Sequence, residues 1–240
     1  EVVDFRTPQL PVTPRVSSSG VDQEYDDVFS VNYGKGYDAG LSGGYDFGWF
    51  RLELELAHKK TGLRDVGADE NAENFLSSLN GALNRPSEGP DPGAPGLAAA
   101  TVDDFDLDGN IRVTSVMANV MLDIGVTKRF SLNWGYGAGR SWVRALGDSD
   151  SAWGWQRFYG FRYKVSDKAE LGFKYRKHSS GIVKLQAEPL ILDGNPDRST
   201  VPAPTGGSIT VDRTTSAVVV PELEGEVRTH SYLASLVYNF

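Results

Sequence analysis

Hydrophobic side chains recur at every second position over long stretches of this chain. Phe50, Leu52, Leu54 and Leu56 alternate with Arg51, Glu53 and Glu55. Period two puts the two sets on opposite faces of a strand, whereas a helix would scatter them around its circumference. The same alternation runs through residues 37–45, 116–124, 130–136, 159–163, 171–175 and 232–240. Together these segments give seven strands of roughly ten residues once their ends are included, the length needed to cross a bilayer at a tilt. An open sheet would leave backbone groups unpaired in lipid, so the sheet must close. Closure with an even number of strands calls for one more. Residues 27–33 can supply it, with Phe29, Val31 and Tyr33 opposite Val28, Ser30 and Asn32. Equally, 27–46 can be one long strand, with the first strand at 2–5 or upstream of Glu1. Both readings stand.

The connections sort by length. Residues 46–48, 125–129 and 164–168 are tight; 61–110, 141–152 and 179–226 are long and carry many Gly, Pro, Asp, Asn and Ser. Short turns at one end and long loops at the other are the habit of outer-membrane barrels. The expected fold is therefore all-β: one domain over 1–240, an antiparallel up-and-down transmembrane β-barrel of eight strands. Short turns face the periplasm. Residues 61–110, 141–152 and 179–226 form extracellular loops, and 1–26 is an N-terminal segment or the first loop. Trp49, Trp142, Trp153, Trp155, Tyr163, Tyr238 and Phe240 lie toward strand ends, where interfacial girdles need aromatic rings. A soluble β-sandwich would not set charges opposite so many aromatics.

Composition adjusts this picture little. Mean hydropathy is −0.33, and no apolar run approaches the ~18 residues of a membrane helix. A barrel escapes that test because only alternate residues face lipid. The 240 residues include no Cys, which excludes disulfides and Cys-based metal sites or nucleophiles. A net charge of −8 without a basic stripe argues against nucleic-acid binding.

The segments "GLSGGYDFG" leading into "FRLELEL", "MANVMLDIG", "ELGFKYR" and "HSYLASLVYNF" resemble the opacity-protein and outer-membrane-protein-A-like family of eight-stranded barrels. The resemblance covers the strands from about Gly36 onward and not the loops. It implies residence in the outer membrane of a Gram-negative bacterium, surrounded by lipid and lipopolysaccharide. It also implies that Leu236, Tyr238 and Phe240 form the C-terminal signal read by the barrel-assembly machinery. The chain departs from the family in its long 61–110 and 179–226 segments and its unclear first strand. No peptidoglycan-binding domain is expected after the barrel, so an envelope-tethering role is not carried over from the family.

The inward face collects Arg51, Glu53, Glu55, Asn119, Asp123, Arg162, Glu170, Lys174 and Arg176, with Asn133 and Gln156. The interior of an eight-stranded barrel is just wide enough for side chains to fill. Opposite charges confined there should pair. The expectation is a plugged lumen in a barrel with a structural or interaction role, its loops free to meet other envelope proteins. The alternative is a small porin-like channel for ions or small solutes. Asp104, Asp106, Asp108 and Gly109 match the opening of a calcium loop, D-x-D-x-D-G, but position twelve is Ser115 rather than a bidentate Glu. A solvated acidic loop is the plainer reading, and no other cofactor is expected. His178-Ser179-Ser180-Gly181 looks superficially like the His-x-Ser of barrel enzymes that deacylate lipid A, whose nucleophile faces lipid. Strand parity turns Lys177 outward and His178 inward, and Gly181 replaces the Asn of those enzymes. A rim histidine at the extracellular strand end is expected instead, and no enzymatic activity. His58 and His230 also sit near expected strand ends.

Overall fold

The alternating segments all form strands, and they run longer than the pattern alone indicates. The computed structural model describes residues 3–4, 10–18, 21–26, 28–69, 71–86, 96–105, 109–202 and 208–239. In chain order the strands are β1 (Val3–Asp4), β2 (Leu10–Ser18), β3 (Val21–Glu24), β4 (Phe29–Asp46), β5 (Phe50–Ala68), β6 (Asn110–Gly125), β7 (Phe130–Ala145), β8 (Asp148–Lys164), β9 (Ala169–Gln186), β10 (Leu190–Asp193), β11 (Asp197–Pro202), β12 (Ser208–Arg213) and β13 (Ser216–Tyr238). An α-helix, α1 (Ala72–Ala82), lies between β5 and β6.

From β4 to β9 each strand pairs antiparallel with the next, and β13 pairs with β9. Closure comes from the N-terminus. β1 pairs with both β4 and β13, through Val3↔Gly36 and Val3↔Ser231. β2 does the same farther up, through Val12↔Phe29 and Val12↔Leu223. β1 and β2 are thus successive parts of one stave, and with β4 to β9 and β13 they make an eight-stave, antiparallel barrel. Of the two readings of residues 27–46, the single long strand β4 is the one formed. Among the described residues no strand is paired between 37–46 of β4 and 232–238 of β13.

Three hairpins close the periplasmic end tightly. At the first, Gly48 takes φ +98, a conformation that suits glycine, and donates its N–H to Asp46 Oδ1 at 2.7 Å. The extracellular connections are shorter than expected. Residues 141–152 are not a loop: β7 and β8 continue to a two-residue turn, Leu146-Gly147, with φ of 54 and 86. Both turn positions are left-handed, as a hairpin that follows strand twist requires. Leucine at the first position hides that turn from a composition-based reading. Within 61–110, β5 continues to Ala68, and α1 and a 3-10 turn (Val102–Asp104) follow. Within 179–226, β9 continues to Gln186, and β13 begins at Ser216. Within 1–26 lie β1, β2 and β3.

The outer wall near the turns is apolar. Leu41, Leu54, Ile124, Leu171 and Leu236 are exposed there, Leu236 at 75%. An aromatic cluster of Tyr45, Phe47, Trp49 and Phe50 marks its lower margin, and Trp142 and Trp153 mark the upper one. A closed β wall with a lipid-compatible belt between two aromatic girdles is a transmembrane barrel of the outer-membrane type. No helix among the described residues is long and apolar enough to cross a membrane.

Candidate functional site

The lumen within the membrane belt is filled by side chains in two charged tiers. The lower tier centres on Asp123 of β6. Arg162 reaches Asp123 at 2.8 Å and Glu170 at 3.1 Å. Arg51 reaches Glu53 at 2.6 Å and Asp123 at 3.4 Å. Above it, Arg176 of β9 bridges Glu55 of β5 and Asp38 of β4. Glu55 also accepts from Lys174 at 3.4 Å and Asn119 at 3.2 Å, and Gln156 donates to Asn119 at 2.9 Å. Lys59 lies 4.0 Å from Asp38, and Ser231 donates to the same carboxylate at 2.5 Å. Each carboxylate in the upper tier is met by cations or polar donors, the condition under which a charge can be buried.

Local sequence explains how so many large polar groups fit. The inner face of β7 carries Gly135, Gly137 and Gly139 opposite Met121, Asn119 and Met117 of β6. A Cβ at Gly137 would collide with the Asn119 carboxamide. The glycine row is thus the hollow into which the β6 side chains lean.

Of the residues read as inward from parity, Arg51, Glu53, Glu55, Asn119, Asp123, Gln156, Arg162, Glu170, Lys174 and Arg176 sit in these tiers, and Asn133 is buried on the inner row of β7. Parity could also have supplied Asp38, which lies on the inner row of β4. Lys59 was hidden because "HKKTG" reads as a strand end, whereas β5 runs nine residues past it. His178 is inward as parity required, but it is not at a rim: it is fully buried, with Nε2 3.1 Å from Ser141 Oγ. His58 and His230 are likewise mid-strand. His58 meets Thr114 at 2.9 Å, and His230 meets the Tyr175 hydroxyl.

Just above His178 the lumen changes character. β9 and β13 slip register between Glu226 and Arg228, and Gly181 takes φ +76. This bulge switches the inner row of β9 from even to odd residues, so Val183 and Leu185 point inward above it. They join Ile111, Val113, Val143, Val219 and Val227 in an apolar cluster inside the extracellular end. α1 turns Ala72, Phe75 and Leu79 toward this cluster, the spacing of one helix face. Phe75 meets Tyr25, Phe29 and Phe105 with ring centroids 5.2 to 5.7 Å apart. Asn80 ties α1 to Ala100 by reciprocal hydrogen bonds of 2.7 and 3.1 Å. Arg85 donates to the Asp193 carbonyl, anchoring the segment after α1 to the end of β10. Tyr33 is buried here with no partner for its hydroxyl among the described residues, and burial holds that group well above its ordinary range.

The β8–β9 ladder stops at Trp155↔Ser179. Beyond it two carboxylates bridge the seam: Asp150 accepts from the Lys184 N–H at 2.9 Å and Asp148 from the Gln186 N–H at 3.0 Å. The donated N–H groups of Lys184 and Ser151 hold the Asp150 carboxyl below its usual value.

Of the calcium-loop residues, Asp104 accepts the Thr101 N–H at 2.7 Å, while Asp106 and Asp108 lie outside the described residues. No group of three or more metal-ligating side chains occurs among the described residues. Leu236 and Tyr238 face outward, and Phe240 lies outside the described residues.

No protein-family model matches the chain, and no curated protein matches it in sequence. Among solved structures it is similar to the Neisserial surface protein A, at 13% identity over 89% of this chain and 90% of that one, with a TM-score of 0.37. It is also similar to Ail, the attachment invasion locus protein of Yersinia pestis, at 13% identity over 93% of each chain, with a TM-score of 0.28. A FadL homologue of Pseudomonas aeruginosa gives 10% identity over 94% and 89%, with a TM-score of 0.17. Values this low speak to no shared function.

Proposed function

We propose that this chain is a plugged outer-membrane barrel of the opacity-protein and outer-membrane-protein-A-like kind, with a structural or surface-interaction role rather than a transport or enzymatic one. One observation carries the reading: two charged tiers fill the lumen within the membrane belt, and α1 covers an apolar cluster above them. An ion would have to part the Arg176 bridge to Glu55 and Asp38 and then enter an apolar plug. Lipid chemistry has no support in the His178 sequence, because His178 and Ser141 face each other inside the barrel and not the lipid. The partners that suit this reading are outer-leaflet lipopolysaccharide around the belt and the barrel-assembly machinery at Leu236 and Tyr238. Other envelope proteins can meet the extracellular segments.

The test is single-channel recording of the refolded full chain in planar bilayers, with folding checked by heat-modifiable gel migration. The expected outcome is no stable conductance from folded protein. Reproducible unitary steps would overturn the plugged reading and make Arg176, Glu55 and Asp38 selectivity residues.

A further inference from the structure

A cavity of about 530 Å³ opens at the extracellular end, between the β7–β8 hairpin tip and the connection from β9 to β10. Its volume is that of a small-molecule site. The apolar part of its lining comes from Phe105, Leu146, Ala187, Pro189, Leu190 and Pro221. Its charged lining residues are Arg112, Arg144 and Glu188, two positive and one negative.

Two features of this lining are unusual. Arg112 and Arg144 are directly opposite each other in the β6–β7 register. Like charges in opposed cross-strand positions repel, and neither side chain has an ion-pair or hydrogen-bond partner among the described residues. An anion between them would remove the repulsion. The second feature is Leu146. It holds a left-handed backbone, φ 54, at a turn position that favours Asn or Gly. Its side chain packs on the apolar cluster and lines the cavity. The residue type there serves the wall and not the turn, and strained backbone of this sort gathers at binding sites.

We propose that the cavity binds a small monoanionic amphiphile, its charged head at Arg112 and Arg144 and its apolar body against Leu146, Pro189, Leu190 and Pro221. The single net positive charge of the lining favours one negative charge over two. The proposal does not depend on whether the lumen conducts: a protein that conducts and also binds such a ligand would overturn only the plugged reading.

The experiment is calorimetric titration of the full chain in phosphatidylcholine nanodiscs, with empty nanodiscs subtracted. The probes are hexyl sulfate, hexanol and sodium sulfate. Hexyl sulfate is expected to bind saturably at one site, at least about tenfold more tightly than either of the others. The paired substitution R112Q/R144Q, on exposed side chains, is expected to weaken it by about tenfold or more while the protein keeps its folded gel mobility. Raising salt should weaken hexyl sulfate binding to the unaltered chain, a readout that needs no variant. Absence of saturable binding, equal affinity for sodium sulfate, or an unaffected R112Q/R144Q protein would each overturn the proposal.

Discussion

The two ends of this barrel are built from the same strands with opposite polarity. Near the turns, β6 points Asn119 into the lumen and Val116 and Val120 outward. Near the extracellular end, the same strand points Ile111 and Val113 inward and Arg112 outward. β9 makes the same exchange, from Arg176 inside to Val183 and Leu185 inside, and needs a bulge to do so. Alternation is a property of the sheet, whereas which face is apolar depends on the solvent outside. Lipid lies outside the lower half, so the polar groups turn inward and must satisfy one another. Water lies outside the upper half, which is organised like an ordinary soluble β-protein with α1 as its lid. The halves should therefore fail differently: one through uncompensated charge, the other through lost packing.

The largest effect should come from removing Glu55, which is met by Arg176, Lys174 and Asn119. Glu55→Ala leaves Arg176 and Lys174 buried with less counter-charge, and breaking a buried pair in this way costs about 3–5 kcal/mol. Urea unfolding in micelles is expected to show that loss, or no folded protein at all. A change under about 1 kcal/mol would mean that water already solvates the tier.

Phe75→Ala tests the other half. It empties a site among Tyr25, Phe29 and Phe105, and burial of this kind is worth about 3 kcal/mol or more. Because α1 is a lid and not a stave, the loss should be local. Amide exchange should quicken in α1 and in β5 beyond Thr61, while the 116–124 segment of β6 stays protected. Uniform loss of protection across both regions would show that the barrel and its lid unfold together.

The contrast also explains what could be read from the sequence. In the lipid-facing half, alternation is strict, glycine and charge mark the inner row, and the inward residues follow from parity alone. In the upper half the pattern is the usual one for a soluble sheet, and turn-forming residues interrupt it without ending the strands. Thus Lys59 looked terminal although β5 continues beyond it. The 141–152 stretch looked like a loop because Asp148, Asp150 and Gly147 are loop-type residues, whereas both aspartates bond the neighbouring strand. The bulge at Gly181 has no signal in a single sequence, since a one-residue slip is fixed by partners on β13. α1 was the element most open to discovery: Ala72, Phe75 and Leu79 have helical spacing within a segment whose Pro and Gly content lies mainly after residue 85.

The seam between β8 and β9 gives a smaller, pH-dependent effect. The Asp150 carboxyl titrates below its ordinary 3.8 because Lys184 and Ser151 donate to its ionised form. A group with a lowered folded-state value contributes stability that is present above the unfolded value and lost as pH falls through the folded one. Acid in the range below about pH 4 should therefore loosen the seam, and neutral pH should leave it intact. Asp150→Ala should reproduce the acid state at neutral pH, with exchange of the Lys184 amide about three- to tenfold faster, the size of one net hydrogen bond. Acid sensitivity that persists unchanged in Asp150→Ala would move the effect to Asp148.

Leu146 supplies the smallest and most discriminating comparison, because two contributions there have opposite sign. A left-handed leucine costs roughly 1–2 kcal/mol relative to a residue that accepts that conformation. Its half-buried side chain returns about 1 kcal/mol by covering the apolar cluster. Leu146→Asn relieves the first and loses the second, so the urea midpoint should stay close to that of the parent. Leu146→Ala keeps the left-handed backbone and loses the packing, so it should fall by about 1 kcal/mol. The difference between the two variants reads the backbone strain directly, since both lack the leucine side chain. If both fall equally, asparagine gains nothing at that turn, and the conformation at Leu146 is not what the upper half gives up to keep an apolar wall at its rim.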